Sequence, residues 1–344
     1  MRIVTTIKDV ARRAEVSTAT VSRVINQSGP VMPATRERIL QAIRELNYVP
    51  DAFARGTATQ RSRTIGMLVP DIRNPFFAEI YLGASEAAAR RDYIVWLADS
   101  NESPSVESEM LLKLRHFRAD GILVTPVDAS ANLQEWASST IPLCFVDREA
   151  QPEQWDFVGI DNFQGAFNAT RLLLQEGHTQ IAIIAGPQTS TSGRERLAGF
   201  KSALDTVGQT VPAEWIQIGD FHEQSGYELG RRLLSLNPPH PTAVLSCNNL
   251  MTLGLLQAIH DTPSAHLGKT IAVIGFDDLP LATVVNPPLT VVVRPMRELG
   301  EKAANLLIER IEHPERPLSR IILGAHLIIR GSQRKPIRTQ EVPD

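Results

Sequence analysis

The stretch Thr6-Ile7-Lys8-Asp9-Val10-Ala11-Arg12-Arg13-Ala14-Glu15-Val16-Ser17-Thr18-Ala19-Thr20-Val21-Ser22-Arg23-Val24-Ile25-Asn26 reads as two short helices joined by a tight turn. Ile7, Val10, Ala11 and Ala14 recur at helical spacing and make one apolar face, and Thr6 with Asp9 three residues on resembles a capping box that starts the helix at Ile7. Ser17 can cap a second helix whose inward face is Val21, Val24 and Ile25, leaving Thr18, Ala19, Ser22, Arg23 and Asn26 outside. A third helix follows, with Pro33 in its first turn and Ile39, Ile43 and Leu46 inward. Three helices of this length bury only a small shared core. The outward residues of the second are short and polar with one arginine, which suits a helix pressed into the major groove of DNA.

Charge supports that expectation. The first 63 residues carry eleven Lys or Arg against five Asp or Glu, whereas the remainder carries 24 against 33. A basic head on an acidic body is what phosphate binding predicts, and the overall formal charge of −3 conceals it.

A chain of 344 residues exceeds one ordinary core, so two or three domains are expected, and 43% hydrophobic residues make them globular. Arg12 and Arg13 interrupt the only candidate for a secretory apolar region, and no apolar run approaches a membrane span, so a cytoplasmic location is expected. Cys144 and Cys247 sit in the apolar runs 142–146 and 243–247 and read as reduced thiols. The eight His lack ligand spacing, so neither a metal site nor a cofactor is expected.

Residues 51–63 are small and basic and read as a linker. From Thr64 short apolar runs alternate with helical stretches. Strand-like runs are 65–69, 93–98, 121–125, 143–147, 181–186, 216–220, 243–247, 271–277 and 291–294; helical stretches include 79–91, 165–176, 196–207 and 226–236. Such alternation predicts two open parallel sheets with helices on both faces. The polar tail, 333–344, has no leucine heptad.

In open parallel sheets the ligand crevice lies beyond the carboxyl ends of the strands. There the sequence places Asp71, Asp99, Ser100, Thr125, Asp147, Arg148, Asp161, Phe221, Asn248 and Asp277. Loop Asp and Asn also cap helices, and Asp161-Asn162 and Asn248-Asn249 read first as caps. Phe77 and Phe221 are the better stacking candidates among the aromatics, with Phe76 beside them, while Trp96 within a strand reads as core. Arg194 and Arg196 open a helix against its dipole, which points to a ligand contact, above all for Arg196. No Walker loop, G-x-G-x-x-G or G-x-S-x-G elbow is present, and the adjacent carboxylates of Asp277-Asp278 diverge, so no catalytic residues are expected.

Over residues 6 to about 332 the sequence resembles the lactose repressor (LacI/GalR) family of bacterial transcription regulators. The resemblance rests on Thr6-Ile7-Lys8-Asp9-Val10-Ala11, the run Val16 to Asn26, Thr35-Arg36, Leu46-Asn47-Tyr48-Val49-Pro50, Asn74-Pro75-Phe76-Phe77, Val146-Asp147-Arg148, Arg196-Leu197-Ala198-Gly199-Phe200, Ile274-Gly275-Phe276-Asp277 and Pro288-Leu289-Thr290. It implies an N-terminal all-α helix-turn-helix headpiece over 1–50, a hinge over 51–63, and an α/β periplasmic-binding-protein-like core of two doubly wound parallel-sheet lobes over 64–332. Three crossings would make each lobe discontinuous, about 64–161 with 294–322 and about 162–293 with 323–332.

The resemblance also implies a homodimeric, cytoplasmic regulator, in the first place a repressor, on a near-palindromic operator. Thr18, Ala19 and Arg23 would face base edges, and Thr6, Ser17, Thr20, Ser22, Asn26, Thr35 and Tyr48 would hold phosphates, with Arg55 and Thr57 of the hinge completing the DNA-facing set. In the cleft the family's contact positions map onto Phe76, Phe77, Asp147, Arg148, Arg196, Phe221, Asn248 and Asp277, a set suited to a sugar or sugar acid, with a nucleobase as a further candidate. A periplasmic-type sugar-binding transport protein, with the same lobes, is the alternative that the basic head argues against.

Four positions depart from the family pattern. Thr57 stands where a Leu usually wedges into the minor groove, and Glu15 replaces the turn Gly. Met32 replaces a Ser cap, and Asn249 replaces a frequent Asp.

Overall fold

A computed structural model describes residues 5–26, 28–48, 61–128, 136, 140–150 and 154–335. Arg55, Thr57 and tail residues 336–344 lie outside the described residues. The chain divides into two compact units, Met1–Arg63 and Thr64–Asp344.

The first unit holds α1 (Ile7–Arg13), α2 (Thr18–Asn26) and α3 (Pro33–Glu45). Asp9 Oδ2 accepts hydrogen bonds from the Thr6 backbone N–H at 2.9 Å and the Thr6 hydroxyl at 2.7 Å, and these bonds hold its carboxyl below the usual carboxylate range. Ser17 Oγ accepts from the Thr20 N–H at 3.1 Å, satisfying one of the orphan donors of α2. In the turn between them Glu15 has φ 52°, a left-handed conformation that costs an L-residue about 1 kcal/mol more than glycine. Met32 offers α3 no side-chain cap, and Pro33 occupies its first position. Val10, Ala11, Ala14, Val21, Val24, Ile39 and Ala42 form the buried core, and Arg13 pairs with Glu45 at 2.5 Å to tie α1 to α3. A core this small leaves little reserve of stability.

The second unit contains two six-stranded sheets. The first lobe has the order β11-β5-β4-β3-β1-β2, all parallel, from β1 (Thr64–Val69), β2 (Ile94–Asp99), β3 (Gly121–Val124), β4 (Leu143–Val146), β5 (Asp156–Ile160) and β11 (Arg320–Leu323). The second has β12-β10-β9-β8-β6-β7, from β6 (Ile181–Ala185), β7 (Ile216–Ile218), β8 (Ala243–Ser246), β9 (Ala272–Phe276), β10 (Thr290–Val293) and β12 (His326–Ile328), with only β12 antiparallel. Strands β1, β3, β4, β5, β6, β8 and β9 are buried at every residue, as expected for parallel strands covered on both faces.

The helices that bear on the site are α4 (Pro75–Ala89) and α5 (Pro104–His116) in the first lobe, and α6 (Asn162–Gln175), α7 (Thr191–Asp205), α8 (Glu223–Leu234) and α9 (Asn249–His260) in the second; α10 (Met296–Glu312) returns the chain to the first. The chain thus crosses between lobes at Asp161, at Arg294-Pro295 and at Gly324-Ala325. Helices α4 and α10 touch backbone to backbone: a Cβ at Gly83 would lie 2.0 Å from the Arg297 carbonyl oxygen, and one at Gly300 would lie 1.9 Å from that of Ile80. Only glycine permits this approach.

Three strands escape the sequence reading. β5 is short and begins with the charged Asp156, and β11 and β12 are sheet-edge strands with partly exposed residues and only short apolar runs, each opening on a basic or histidine residue. Trp96 corrects the expectation of a core position. It lies on the edge strand β2, 37% exposed, with its ring edge-on to Phe117 at 5.9 Å. Cys144 and Cys247 are both free and fully buried, and burial pushes the Cys247 thiol up to about 12. Among the described residues no helix is long and apolar enough to cross a membrane.

Candidate ligand cleft between the lobes

The strand ends of both sheets converge on one constellation. Asp147, Asp277 and Phe221, each at or just beyond the carboxyl end of a strand, adopt left-handed backbones with φ 65°, 67° and 71°. Asp tolerates that region through local hydrogen bonding, but for Phe221 it is strain held by the surroundings, as is frequent at functional sites. Gly186 makes room for the ring, since a Cβ there would come within 2.2 Å of it.

Arg294, from the second crossing, lies at the centre. Its Nε and Nη2 donate to the two carboxylate oxygens of Asp277, each at 2.6 Å, and Nη1 donates to Asp147 Oδ1 at 2.7 Å. Its guanidinium carbon sits 3.6 Å from the Phe76 ring centroid. Burial alone would lower the pKa of this guanidinium, but Asp277 and Asp147 more than offset it and leave it above the ordinary value.

Arg148 forms a second focus. It makes a bidentate pair with Glu102 at 2.9 and 2.8 Å and reaches over the Phe221 ring of the other lobe at 4.8 Å. Its Nε and the Thr125 hydroxyl are buried and make no hydrogen bond among the described residues, so each is available to a ligand.

Arg196 is 2% exposed, and its contacts are neutral acceptors: Nε and Nη2 donate to Asn162 Oδ1 at 2.9 and 2.8 Å, and Nη1 donates to the Cys247 carbonyl at 2.5 Å. It stacks on Phe276 at 4.4 Å, and burial, reinforced by Arg294, lowers its pKa to about 10. Three of its five N–H donors are thereby used. The remaining two define a donor fork.

Asn248 caps α9 through the Met251 N–H at 2.8 Å and also donates to the Phe221 carbonyl at 2.8 Å, so capping and positioning of the aromatic are one job. Asn249 donates across the cleft to Asn74 Oδ1 at 2.8 Å, where Asn74 already accepts from the Phe76 N–H as the cap of α4. The Asp of the family pattern could not make that bond, because it would set two acceptors against each other. Further links between lobes run from the Glu149 N–H to Thr191 Oγ1 at 3.2 Å and from His222 to Asp71 at 3.9 Å.

The expected residues therefore divide. Asp147, Arg148, Phe221, Asn248 and Asp277 come together at the strand ends, and Arg196 joins them through Cys247. Phe76 and Phe77 are both buried, 5.0 Å apart and edge-on; Phe76 cushions Arg294, and Phe77 packs in the hydrophobic core of its lobe, which corrects its reading as a stacking platform. Arg194 is held by the carbonyls of Gln188 and Thr189 and serves the loop.

Sequence reasoning missed Arg294 because it was placed inside the last strand rather than after it. It also missed Asn74, Asn162, Glu102 and Glu107. Asn162 is more than a cap: Asp161 caps α6, while Asn162 orients Arg196 and donates to Glu195 at 3.1 Å.

Glu107, on α5, is 2% exposed and accepts from the Val127 N–H at 2.7 Å. Burial pushes its carboxyl up from 4.5 to about 7, against the lowering effects of that N–H and of Arg148. The native chain therefore binds an extra proton between the two values, and stability falls as pH rises through that window. Glu107→Gln keeps the acceptor and removes the charge, so it is predicted to stabilise the protein by up to about 3 kcal/mol near pH 8 and by nothing near pH 4. Urea midpoints at both pH values test this. An equal effect at the two would contradict it.

Comparison with known proteins places this geometry. Residues 6–51 match the family of bacterial regulatory proteins, lacI family, and residues 62–330 match the periplasmic binding proteins and sugar binding domain of the LacI family. The chain is 36% identical over 329 residues to the ribose operon repressor of Escherichia coli (strain K12), covering 95% of this chain and 99% of that protein. It is 36% identical over 332 residues to the HTH-type transcriptional repressor PurR of Haemophilus influenzae (strain PittEE), covering 95% and 98%. The structure of the lac repressor dimer bound to operator and the anti-inducer ONPF matches with a TM-score of 0.82 at 27% identity, covering 96% of this chain and 99% of that one. A helix-turn-helix unit joined to a bilobed ligand-binding core defines the class. The chain belongs to the LacI family of bacterial regulatory proteins.

Proposed function

We propose that the chain is a cytoplasmic homodimeric repressor whose affinity for a near-palindromic operator is set by a sugar or sugar acid bound between the lobes. Thr18, Ala19 and Arg23 are exposed on α2, which supports their role as readers of base edges. Thr6, Ser17, Thr20, Ser22, Thr35 and Tyr48 carry hydroxyls and would hold phosphates with Asn26. Ile94 and Trp96 on the open strand edge, with Phe117 beside them, offer apolar surface that a partner subunit would cover. The lac repressor neighbour is described as a dimer on its operator, which agrees.

One observation carries the effector class. Phe76, in the first turn of α4, and Phe221 each carry a guanidinium over the ring, so charged and polar groups rather than a pair of bare aromatic rings face an effector. Buried donors and acceptors surround the same space, as hydroxyl recognition requires. The ribose operon repressor is a relative whose name agrees with a sugar, and a nucleobase is the competing reading.

A thermal-shift screen of pentoses, hexoses, sugar acids and purine bases tests the class, because a ligand of the native state raises its stability by mass action. Sugars or sugar acids alone should raise the melting temperature. A shift with purine bases and none with sugars would refute the assignment. Arg23→Ala is predicted to weaken binding to DNA from upstream of the chain's own gene by at least about five-fold, from the loss of about 1–3 kcal/mol per base contact. Unchanged affinity at matched salt would remove Arg23 from the readout.

A further inference from the structure

We propose that Arg294 is an internal latch that joins the two lobes through Asp147 and Asp277 without help from an effector. Asp147 follows β4 of the first lobe, Asp277 follows β9 of the second, and Arg294 lies in the crossing between them. One guanidinium serves both: two donors go to Asp277 and one to Asp147. The ring beneath it, Phe76, belongs to the first lobe, so Arg294 is held on that side by a face as well as by a charge.

The three ionic side chains are each at most 4% exposed, so salt screens them little. Without the guanidinium, Asp147 and Asp277 would be two buried carboxylates sharing one site, which favours separation of the strand ends that carry them. The other contacts across the cleft are weaker in kind. Asn249 to Asn74 and Glu149 N–H to Thr191 are single neutral hydrogen bonds, Arg148 meets Phe221 only through its ring at 4.8 Å, and His222 stands 3.9 Å from Asp71. The charge-assisted bridge is the dominant link.

The consequence is regulatory. Closure of the lobes does not need a ligand to bring them together, so a ligand acts by changing how the latch is shared between its two carboxylates. A ligand can shift that equilibrium only through different affinity for the two arrangements. Nothing in the latch depends on which effector binds, so it stands or falls separately from the sugar assignment.

The test is a distance measurement between the lobes of the full chain with no small molecule added. Glu109 on α5 and Glu228 on α8 are exposed sites, one in each lobe, and take nitroxides as the E109C/E228C pair; Cys144 and Cys247 are buried and stay unlabelled. Labelled chain is diluted with excess unlabelled chain, so that only distances within one chain are read by pulsed electron resonance.

The native sequence should give one narrow distribution, unchanged between low salt and 1 M NaCl. R294Q and D147N should each lengthen and broaden it by several ångströms. D147N is the safer variant, since it removes the charge that ties Arg294 to the first lobe and leaves the Arg294 to Asp277 pair intact, and circular dichroism confirms that each variant is folded. An unchanged distribution in D147N and R294Q, or a native distribution already as broad as that of R294Q, overturns the latch.

Discussion

Arg196→Ala is expected to abolish the ligand-induced rise in melting temperature and to destabilise the core by about 2–4 kcal/mol. The side chain fills a buried site, and its loss leaves Asn162 Oδ1 and the Cys247 carbonyl without their donor and uncovers the face of Phe276. Each stranded acceptor carries a desolvation penalty, and the vacated volume adds to it. The effector loses the donor fork as well, because the two N–H groups not spent on the protein belong to the same guanidinium. Arg196→Lys separates the contributions. It keeps a charge but cannot reach both acceptors and a ligand, so part of the stability should return and the ligand shift should not. Melting curves with and without the ligand found by screening decide the matter. A full shift in Arg196→Ala would remove this residue from the site.

Val21→Asp is expected to have the opposite distribution of effects, with complete loss of DNA binding and an intact ligand response. Val21 has no exposed surface in a headpiece core of seven buried residues. An unpaired carboxylate there costs several kcal/mol, more than so small a unit has in reserve. The sheets of the core contain none of these residues and should melt as before, since the two units are separately compact. Fluorescence anisotropy on upstream DNA reads the first effect and calorimetry the second. Retained DNA affinity in Val21→Asp would mean that the three helices are not the reader.

The headpiece is the part most legible in the sequence, because its determinants are local. The Thr6 and Asp9 pair, the Ser17 cap and the left-handed Glu15 all act within a few residues of themselves. The cleft was legible to the extent that one rule reaches it: parallel strands aim their carboxyl ends at the ligand, which finds Asp147, Arg148, Phe221, Asn248 and Asp277. What that rule does not supply is pairing. Arg294 was hidden by a strand boundary drawn one residue too far, and nothing near it in sequence announces carboxylates 17 and 147 positions away.

Asn162 reads as a cap because capping is a local signal, whereas its partner Arg196 is 34 positions away; Asn74, which caps α4, finds its second partner in Asn249, 175 positions away. Glu107 sits in the first turn of a helix, where a carboxylate is ordinary, and only its burial makes it unusual. Trp96 failed for a related reason. Whether a strand lies at the centre or the edge of a sheet is a property of topology, and no local pattern encodes it.

The departure at Asn249 is resolved by the structure as a neutral bond to Asn74, and that at Glu15 as strain in the turn. Asn249 and the proposed latch lie on the same cleft, so the chain's own side chains link its lobes. Coupling between ligand and DNA then requires only that the effector favour one lobe arrangement, and by reciprocity that the operator favour one as well.

The most direct test is a titration of the full chain against labelled DNA from upstream of its own gene, across a salt series, with and without the ligand that raises its melting temperature. Binding should weaken steeply with salt, as release of phosphate counterions requires, and at fixed salt the ligand should move the affinity by five-fold or more, about 1 kcal/mol of coupling. Salt-independent binding, or an affinity that the ligand leaves unchanged, would contradict a sensor core that controls a DNA-reading headpiece.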